Sequence, residues 1–223
     1  MDLIVETFFN LDVLREMYPF LLDGLWMTLQ LCIVIVPCGV VAGLCVAILF
    51  SFRFRPLSWL VIVYVDFFRS FPPLVLLIFI YYGLPFVGVD IPDFAAVVLA
   101  LTLNTSSYYG EIFRAGIESI PRGQWEAARS TGLGFLQTMR YVIVPQAARN
   151  VAPDLTSNTL EVIKVTSLAS VVAMPELLRL ARVAQGLTYN PTPLIAAAAI
   201  YFVLLWPLVR LLSRMERRMI AGR

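Results

Sequence analysis

Charged residues inside strongly apolar stretches are the first places in this sequence where chemistry is possible. Glu161 and Lys164 stand three residues apart in "NTLEVIKVTS", so a helix would place both on one face. Charges at membrane depth are costly unless they pair or meet water. The two either neutralise each other or line a polar path. Asn158, Thr166 and Ser167 would contribute to such a path.

A third charge, Arg69, stands just before Pro72 and Pro73 in another apolar stretch. Proline lacks a backbone donor, so this stretch is not expected to continue as a regular helix. It forms either a broken segment that lines the path or a plain kink. Arg69 needs an anion in both cases, and Asp66 and Glu111 are the candidates.

Tyr108, Glu111 and Arg114 share one helical face further along the chain. They predict either a closed salt-bridge network or a cytoplasmic gate. The polar run of residues 104–107, "NTSS", comes just before them. Small hydroxyl residues mediate helix packing in membranes, so this run belongs either to an interface between subunits or to the path.

The sequence excludes most enzymatic chemistry. Histidine is absent, which removes the common serine and cysteine nucleophile systems and histidine metal sites. Lys164 is the only lysine, and Asn158 and Ile163 occupy the positions where a phosphate-binding loop needs glycine. The cysteines share one apolar stretch, where they are expected to pack. We therefore expect neither a membrane-embedded enzyme nor a cofactor or metal bound by this chain.

A polar stretch, "PRGQWEAARSTGLG" at 121–134, interrupts the apolar sequence. Helix-spaced charges pair Glu126 with Arg122 and with Arg129, and the two late glycines allow a sharp bend. The prediction is a short helical hairpin over about 119–140. Its opposite stripe, suited to packing on the spans or on a partner, consists of Trp125, Ala128, Gly132, Phe135 and Met139.

The composition indicates a membrane protein. The chain is 60% hydrophobic and 14% charged, with a mean hydropathy of +0.82. Basic residues flank apolar runs and do not cover one face, so nucleic-acid binding is not expected. A membrane helix needs about 20 apolar residues. We predict a single all-α membrane domain over 1–223, with five spans at about 24–50, 57–82, 94–116, 153–174 and 194–212.

The distribution of arginines orients these spans. The charged residues before the first span are mostly acidic, which places the N-terminus outside. Cytoplasmic loops carry an excess of arginine, and the C-terminus is then cytoplasmic. Arg179 and Arg182, in the last outer loop, run against the rule. The three cytoplasmic groups are Arg53 with Arg55, the arginines of 114–149, and Arg210, Arg214, Arg217, Arg218 and Arg223.

Several stretches carry a family resemblance. "EAARSTG", with "VIVP" further on, resembles the EAA signature of membrane subunits of ATP-binding cassette importers. "GLWMTLQ", "RSFPPLV" and "IKVTSLASV" are similar to the polar amino acid branch, and the resemblance covers nearly all of residues 20–218. The family usually has glycine and threonine at Ser70 and Phe71, and an acid or asparagine at Val165.

The resemblance implies the transmembrane domain of a type I importer in the bacterial inner membrane. The hairpin would dock on a separate ATPase subunit, which binds ATP and magnesium. A second permease subunit, related or identical, would share the path through the lipid bilayer, and an external binding protein would supply the substrate. The residues implied in docking are Gln124, Glu126, Ala127, Ala128 and Gly132.

The implied substrate is a polar amino acid or a related small zwitterion. A slight similarity to ectoine-type permeases leaves amino acids, opines and ectoine-like solutes open. The alternative function is a carrier driven by an ion gradient, although such carriers usually have more spans and internal repeats. Dependence of uptake on ATP separates the two.

Overall fold

The computed structural model describes residues 6–52 and 54–221, apart from the side chains of residues 216 and 218–221. All regular elements in this part of the chain are helical. Arg53, Arg223 and the side chain of Arg218, used above for orientation, lie outside it. The helices are α1 Leu11–Ser51, α2 Arg55–Ser70, α3 Pro73–Phe86, α4 Asp93–Glu118, α5 Arg122–Ser130, α6 Phe135–Thr138, α7 Val144–Asn150, α8 Ala152–Val165, α9 Leu177–Thr188 and α10 Thr192–Ala221.

Membrane-spanning character is clearest at the two ends of the described chain. Glu6–Ser51 and Thr192–Met215 are long and apolar enough to cross a membrane, with mean hydropathies of 2.8 and 2.1. The pair α2 and α3 meets the same criterion only when taken together. Helix α4 covers the predicted third span but contains polar and charged residues, and α8, with 14 residues, is too short to cover the predicted fourth span alone. The count of five spans therefore stays a prediction.

The predicted second and fourth spans are not single α-helices. The second is interrupted between Ser70 and Pro73, as its prolines indicate. The fourth, expected over 153–174, ends as an α-helix at Val165 and continues as a tighter 3₁₀ helix over Thr166–Val172. The Thr166 hydroxyl donates to the Ile163 carbonyl at 2.7 Å, and such bonding three residues back suits the tighter turn.

The helices pack as two compact units, which divide between Val36 and Pro37, Phe71 and Pro72, Leu101 and Thr102, Thr159 and Leu160, and Leu211 and Leu212. The unit that contains α3 and α9 has a core of Leu21, Leu177, Ala181 and Ala197. The other unit contains α2, the later part of α4, and the hairpin. Every contact described below lies within one of these units.

A buried carboxylate holds the first unit together. Glu176 is 0% exposed, and its oxygens accept hydrogen bonds from the Leu178 and Arg179 amides at 2.9 and 2.7 Å. The Tyr201 hydroxyl donates to the same carboxylate at 3.1 Å. Burial raises the pKa of Glu176, while these donors act in the opposite direction. The side chain therefore caps α9 and joins it to α10.

Replacing Glu176 with alanine is expected to lower the free energy of unfolding by about 2 to 4 kcal/mol, because two helix-terminal amides and one hydroxyl lose their acceptor. Thermal unfolding of the detergent-solubilised protein measures the loss. Asp90→Ala is the matched control, since this exposed acid belongs to the same unit. Equal midpoints for the two variants would refute the role of Glu176.

Two glycines allow α1 and α4 to meet closely in the second unit. A Cβ atom built on Gly43 would lie 2.5 Å from the Tyr109 Cβ atom and 2.7 Å from the Gly110 nitrogen. A Cβ atom on Gly39 would lie 2.7 Å from the Thr105 hydroxyl oxygen. Gly39 and Gly43 are four residues apart, the spacing that lets membrane helices approach backbone to backbone. Tyr109, wholly buried here, is thereby fixed against α1.

Candidate functional site

The predicted hairpin forms, and its apolar stripe faces its own chain. Helix α5 begins directly after Pro121, as predicted. The Trp125 and Phe135 rings stack with centroids 6.2 Å apart, and Phe135 also lies 5.2 Å from the Phe52 ring near the end of α1. Ala128 is buried at 6% exposure. These contacts fix the hairpin against α1 and leave its other face uncovered.

The uncovered face carries most of the residues predicted to dock. Glu126, Ala127 and Gly132 are exposed, whereas the buried Ala128 seats α5 within the hairpin. Glu126 forms no ion pair with either neighbouring arginine in the described chain, contrary to the predicted charge pairs. Its carboxylate is therefore open to a partner. Gln124 accepts a hydrogen bond from the Gln146 amide at 3.3 Å.

The bend of the hairpin depends on Gly132. Its φ angle is +84°, a left-handed conformation that glycine adopts without strain, and no heavy atom lies within 4 Å of a Cβ atom built there. The space around this residue is therefore open on the described chain. Gly134 donates its backbone N–H to the Gln137 side chain at 3.0 Å and begins the second limb.

A π-helical turn over Met139–Ile143 joins α6 to α7 in this second limb. Pro145 lacks a backbone donor, and the Val144 N–H reaches back five residues to the Met139 carbonyl. Sequence reasoning missed this turn. The proline in "VIVP" was the available signal.

Arg114, Glu111 and Arg69 form a connected charge network beside α2. Arg114 donates to both oxygens of Glu111 at 2.6 and 2.9 Å, and to Glu118 at 2.7 Å. Arg69 lies 3.9 Å from Glu111 and 5.4 Å from the centre of the Tyr108 ring. Glu111 is thus the anion next to Arg69, and the predicted salt-bridge network is present. A gating role for these residues stays a prediction.

Next to this network lies an open cavity of about 300 Å³. One wall is apolar and includes Phe50, Val61 and Val65, and the other carries the charged network with Asp66. No ion pair joins Asp66 to Arg69 within the described residues. Arg69, at 40% exposure, has no ion pair among the described residues other than its 3.9 Å contact with Glu111, so a further anion would find a donor there.

Glu161 and Lys164 pair at 2.6 Å, as one of the two hypotheses expected. Both side chains are nevertheless exposed, at 63% and 52%. Thr166 is buried, Ser167 is half-buried, and both hydroxyls bond their own helix. Asn158, predicted to join this path, belongs to the other unit. The two charges therefore neutralise each other, but no described part of the chain covers them.

The polar run at 104–107 is interior, unlike either predicted role. Its four residues are at most 4% exposed, so they line neither a subunit interface nor an open path in the described chain. Ser106 and Tyr64 share a hydrogen bond of 2.7 Å that joins α4 to α2. The Asn104 amide donates to the Phe68 carbonyl at 2.9 Å. These small polar residues therefore pack helices within the subunit, which neither prediction named.

The chain is similar to known proteins in both sequence and fold. Residues 17–221 match the family model described as "Binding-protein-dependent transport system inner membrane component". The chain is 36% identical over 200 residues to the "Probable amino-acid ABC transporter permease protein YckA" of Bacillus subtilis, which covers 89% of this chain and 88% of the relative. It is 35% identical over 203 residues to the "Arginine transport system permease protein ArtQ" of the same organism, covering 90% and 93%.

A solved structure shares the fold. The chain resembles the protein in "Crystal structure of an amino acid ABC transporter with histidines", with 40% sequence identity and a TM-score of 0.82. The match covers 92% of this chain and 96% of that chain. The similarity in sequence and the similarity in fold therefore both extend over nearly the whole length of the chain.

Proposed function

Since this chain belongs to the family of binding-protein-dependent transport system inner membrane components, and is thus a permease subunit of an ATP-driven importer, we propose that it forms the path for a polar amino acid or a related small zwitterion. The observation that carries the proposal is the exposed hairpin, which offers Glu126 and the Gly132 bend to a partner. As a permease subunit the chain is not itself an enzyme. The named relatives act on amino acids, which supports the substrate class.

The proposed arrangement is a single domain of five spans, with the N-terminus outside and the C-terminus cytoplasmic. Long apolar helices at both ends and the interrupted pair α2 and α3 support three of these spans. The arginine-rich hairpin is then cytoplasmic, where a soluble subunit can reach it. A second permease subunit, identical or related, pairs with this one across the path, and an external binding protein delivers the solute.

ATP and magnesium act on the partner ATPase subunits. Their closing and opening move the hairpin, which transmits the motion because Trp125, Phe135 and Phe52 fix it to α1. Such coupling requires that ATP and the solute each favour one of two arrangements. The docking residues are Gln124, Glu126, Ala127 and Gly132 on the exposed side, with Ala128 seating the helix from within.

The proposed path uses charges that the chain leaves exposed. Arg69 offers guanidinium donors to a carboxylate, and the Glu161 and Lys164 pair offers both signs to a zwitterion. Exposed charges of this kind at membrane depth need water or protein around them, which a path shared with a second subunit supplies. Asn158 and Ser167, which are part-buried, contribute polar groups nearby in sequence, whereas Thr166 is buried and bonds its own helix. Tyr108, Glu111 and Arg114 are the proposed gate.

Uptake into right-side-out vesicles or proteoliposomes, with ATP enclosed and the binding protein outside, tests the ATP-driven function. The assay follows a mixture of radiolabelled L-amino acids, with ATP and the binding protein present. The proposal expects uptake that stops without ATP and continues when ion gradients are dissipated. Uptake that ignores ATP and stops with the gradient would instead support the alternative, a secondary carrier.

Replacing Lys164 with methionine tests the path. The change removes one charge but retains an apolar stem of similar length, and it leaves Glu161 unpaired. We expect uptake to fall by about tenfold or more, on the order of 1.4 kcal/mol in transition-state terms, while the complex still assembles. Arg179→Met, in the proposed outer loop, is the control. Loss of the complex from the membrane, or unchanged uptake, would contradict a path role.

A further inference from the structure

A buried amide holds the end of α2 where the chain is interrupted. Pro72 supplies no backbone N–H, so the carbonyl of Phe68, four residues earlier, loses the donor that a continuous helix would provide. The Asn104 side chain of α4, only 3% exposed, places its Nδ2 atom 2.9 Å from the Phe68 oxygen. The same atom lies 3.5 Å from the Phe71 oxygen. The amide therefore replaces the missing donor at the helix end.

The same face of α4 contacts Arg69. Asn104, Tyr108 and Glu111 are spaced by four and three residues, so they line one face over successive turns. Both Tyr108 and Glu111 approach the Arg69 guanidinium, the Tyr108 ring centre at 5.4 Å and a Glu111 oxygen at 3.9 Å. The register between α2 and α4, which Asn104 fixes at the Phe68 carbonyl, thus determines where the guanidinium points.

We propose that Asn104 is a positioning residue of the transport path, which fixes the end of α2 and thereby aims Arg69. This inference rests on the proposed function, in which Arg69 lines the path. A second tether, between Tyr64 and Ser106, joins the same two helices at 2.7 Å. It bonds neither Phe68 nor Phe71, so it holds the helices together without capping the interruption and provides a natural control.

A double-mutant cycle tests the contact itself. Asn104→Leu keeps the shape of the side chain and removes its donors, and the unfolding midpoint of the detergent-solubilised complex is expected to fall by roughly 5 °C. Pro72→Ala restores a backbone N–H that can satisfy Phe68. In the Pro72→Ala background the fall caused by Asn104→Leu is therefore expected to shrink to less than half. An equal fall in both backgrounds would overturn the proposal.

A transport assay separates positioning from stability. The assay uses the reconstituted complex, its binding protein and a mixture of radiolabelled L-amino acids. The double variant is expected to regain most of the lost stability yet show an apparent KM about tenfold above that of Pro72→Ala alone, since Arg69 is no longer aimed. Ser106→Ala should lower the midpoint without this rise in KM. A KM in the double variant equal to that of Pro72→Ala alone would overturn the positioning role.

The two failures can be told apart. Absence of amino acid uptake by the wild-type complex would refute the proposed function and the positioning role with it. The unfolding cycle needs no substrate, and it would still decide whether the Asn104 amide acts through the Phe68 carbonyl. If the unfolding cycle gives the expected result but the wild-type complex transports another solute, Asn104 keeps its positioning role and only the proposed substrate class is wrong.

Discussion

Replacing Gly43 with leucine is expected to abolish accumulation of the folded permease. The Cβ atom alone would lie 2.5 Å from the Tyr109 Cβ atom and 2.7 Å from the Gly110 nitrogen, closer than real Cβ atoms approach. The first atom is bonded directly to the backbone and the second is a backbone atom, so rotation of a side chain cannot relieve either clash. Helices α1 and α4 must then separate, which loses the packing around buried Tyr109 and costs more than about 3 kcal/mol.

The measurement is the amount of monodisperse protein extracted from membranes, together with its unfolding temperature. Gly186→Ala is the matched control, because a Cβ atom on this helical glycine meets no atom of the described residues within 4 Å. Its higher helix propensity is expected to leave the protein as stable as the wild type or slightly more so. Normal yield and stability of Gly43→Leu would contradict the close crossing of the two helices.

Replacing Gly132 with valine is expected to remove the ATPase subunit from the complex. The φ angle of +84° is costly for a β-branched residue, by about 1 to 3 kcal/mol, so the bend of the hairpin changes. The site has no neighbour on the described chain, so the spans themselves should still fold. Co-purification of the two subunits in mild detergent, at equal permease yield, measures the effect.

Two control variants sharpen this result. Gly132→Asn accepts the left-handed conformation, so partial retention of the ATPase indicates that backbone geometry carries the effect. Gly186→Val makes the same change at a helical site outside the hairpin, where space is open. Retention of the ATPase by Gly132→Val, at the wild-type level, would remove the bend from the docking mechanism.

Local signals in the sequence predicted much of the fold. Pro72 and Pro73 marked the interruption, Pro121 marked the start of α5, and the arginine and glycine pattern of the hairpin marked its bend. These features depend on backbone donors and on conformational preferences of single residues, which neighbours in sequence determine. These features could therefore be predicted without knowledge of how the helices pack.

Contacts between residues far apart in the sequence could not be predicted in this way. Glu176 meets Tyr201, Asn104 meets Phe68, and Gly43 meets Tyr109, and each pair is separated by many residues. A sequence gives no distance between such positions. The glycines four apart in α1 and the acid before α9 were signals of a close crossing and of a helix cap, but neither names its partner.

For the charged residues, too, the sequence contained information on local contacts and none on long-range contacts. Three-residue spacing placed Glu161 and Lys164 on one face, and their pairing was one of the two outcomes it allowed. A shared helical face likewise allowed the contact between Glu111 and Arg114 as one of two alternatives. The choice of Glu111 over Asp66 as the neighbour of Arg69 needed the packing of α2 on α4. The polar run at 104–107 was expected at a subunit interface or in the path. Its burial is accompanied by hydrogen bonds to α2 that only the fold creates.

The central claim is that the exposed hairpin couples this permease to an ATPase, and purification of the tagged chain from its native membrane in mild detergent tests it most directly. Mass spectrometry identifies what stays bound. We expect an ATP-binding cassette subunit with the wild-type chain and its loss with Gly132→Val, at equal recovery of the permease. Recovery of the wild-type chain alone, from vesicles whose uptake does not need ATP, would contradict the account.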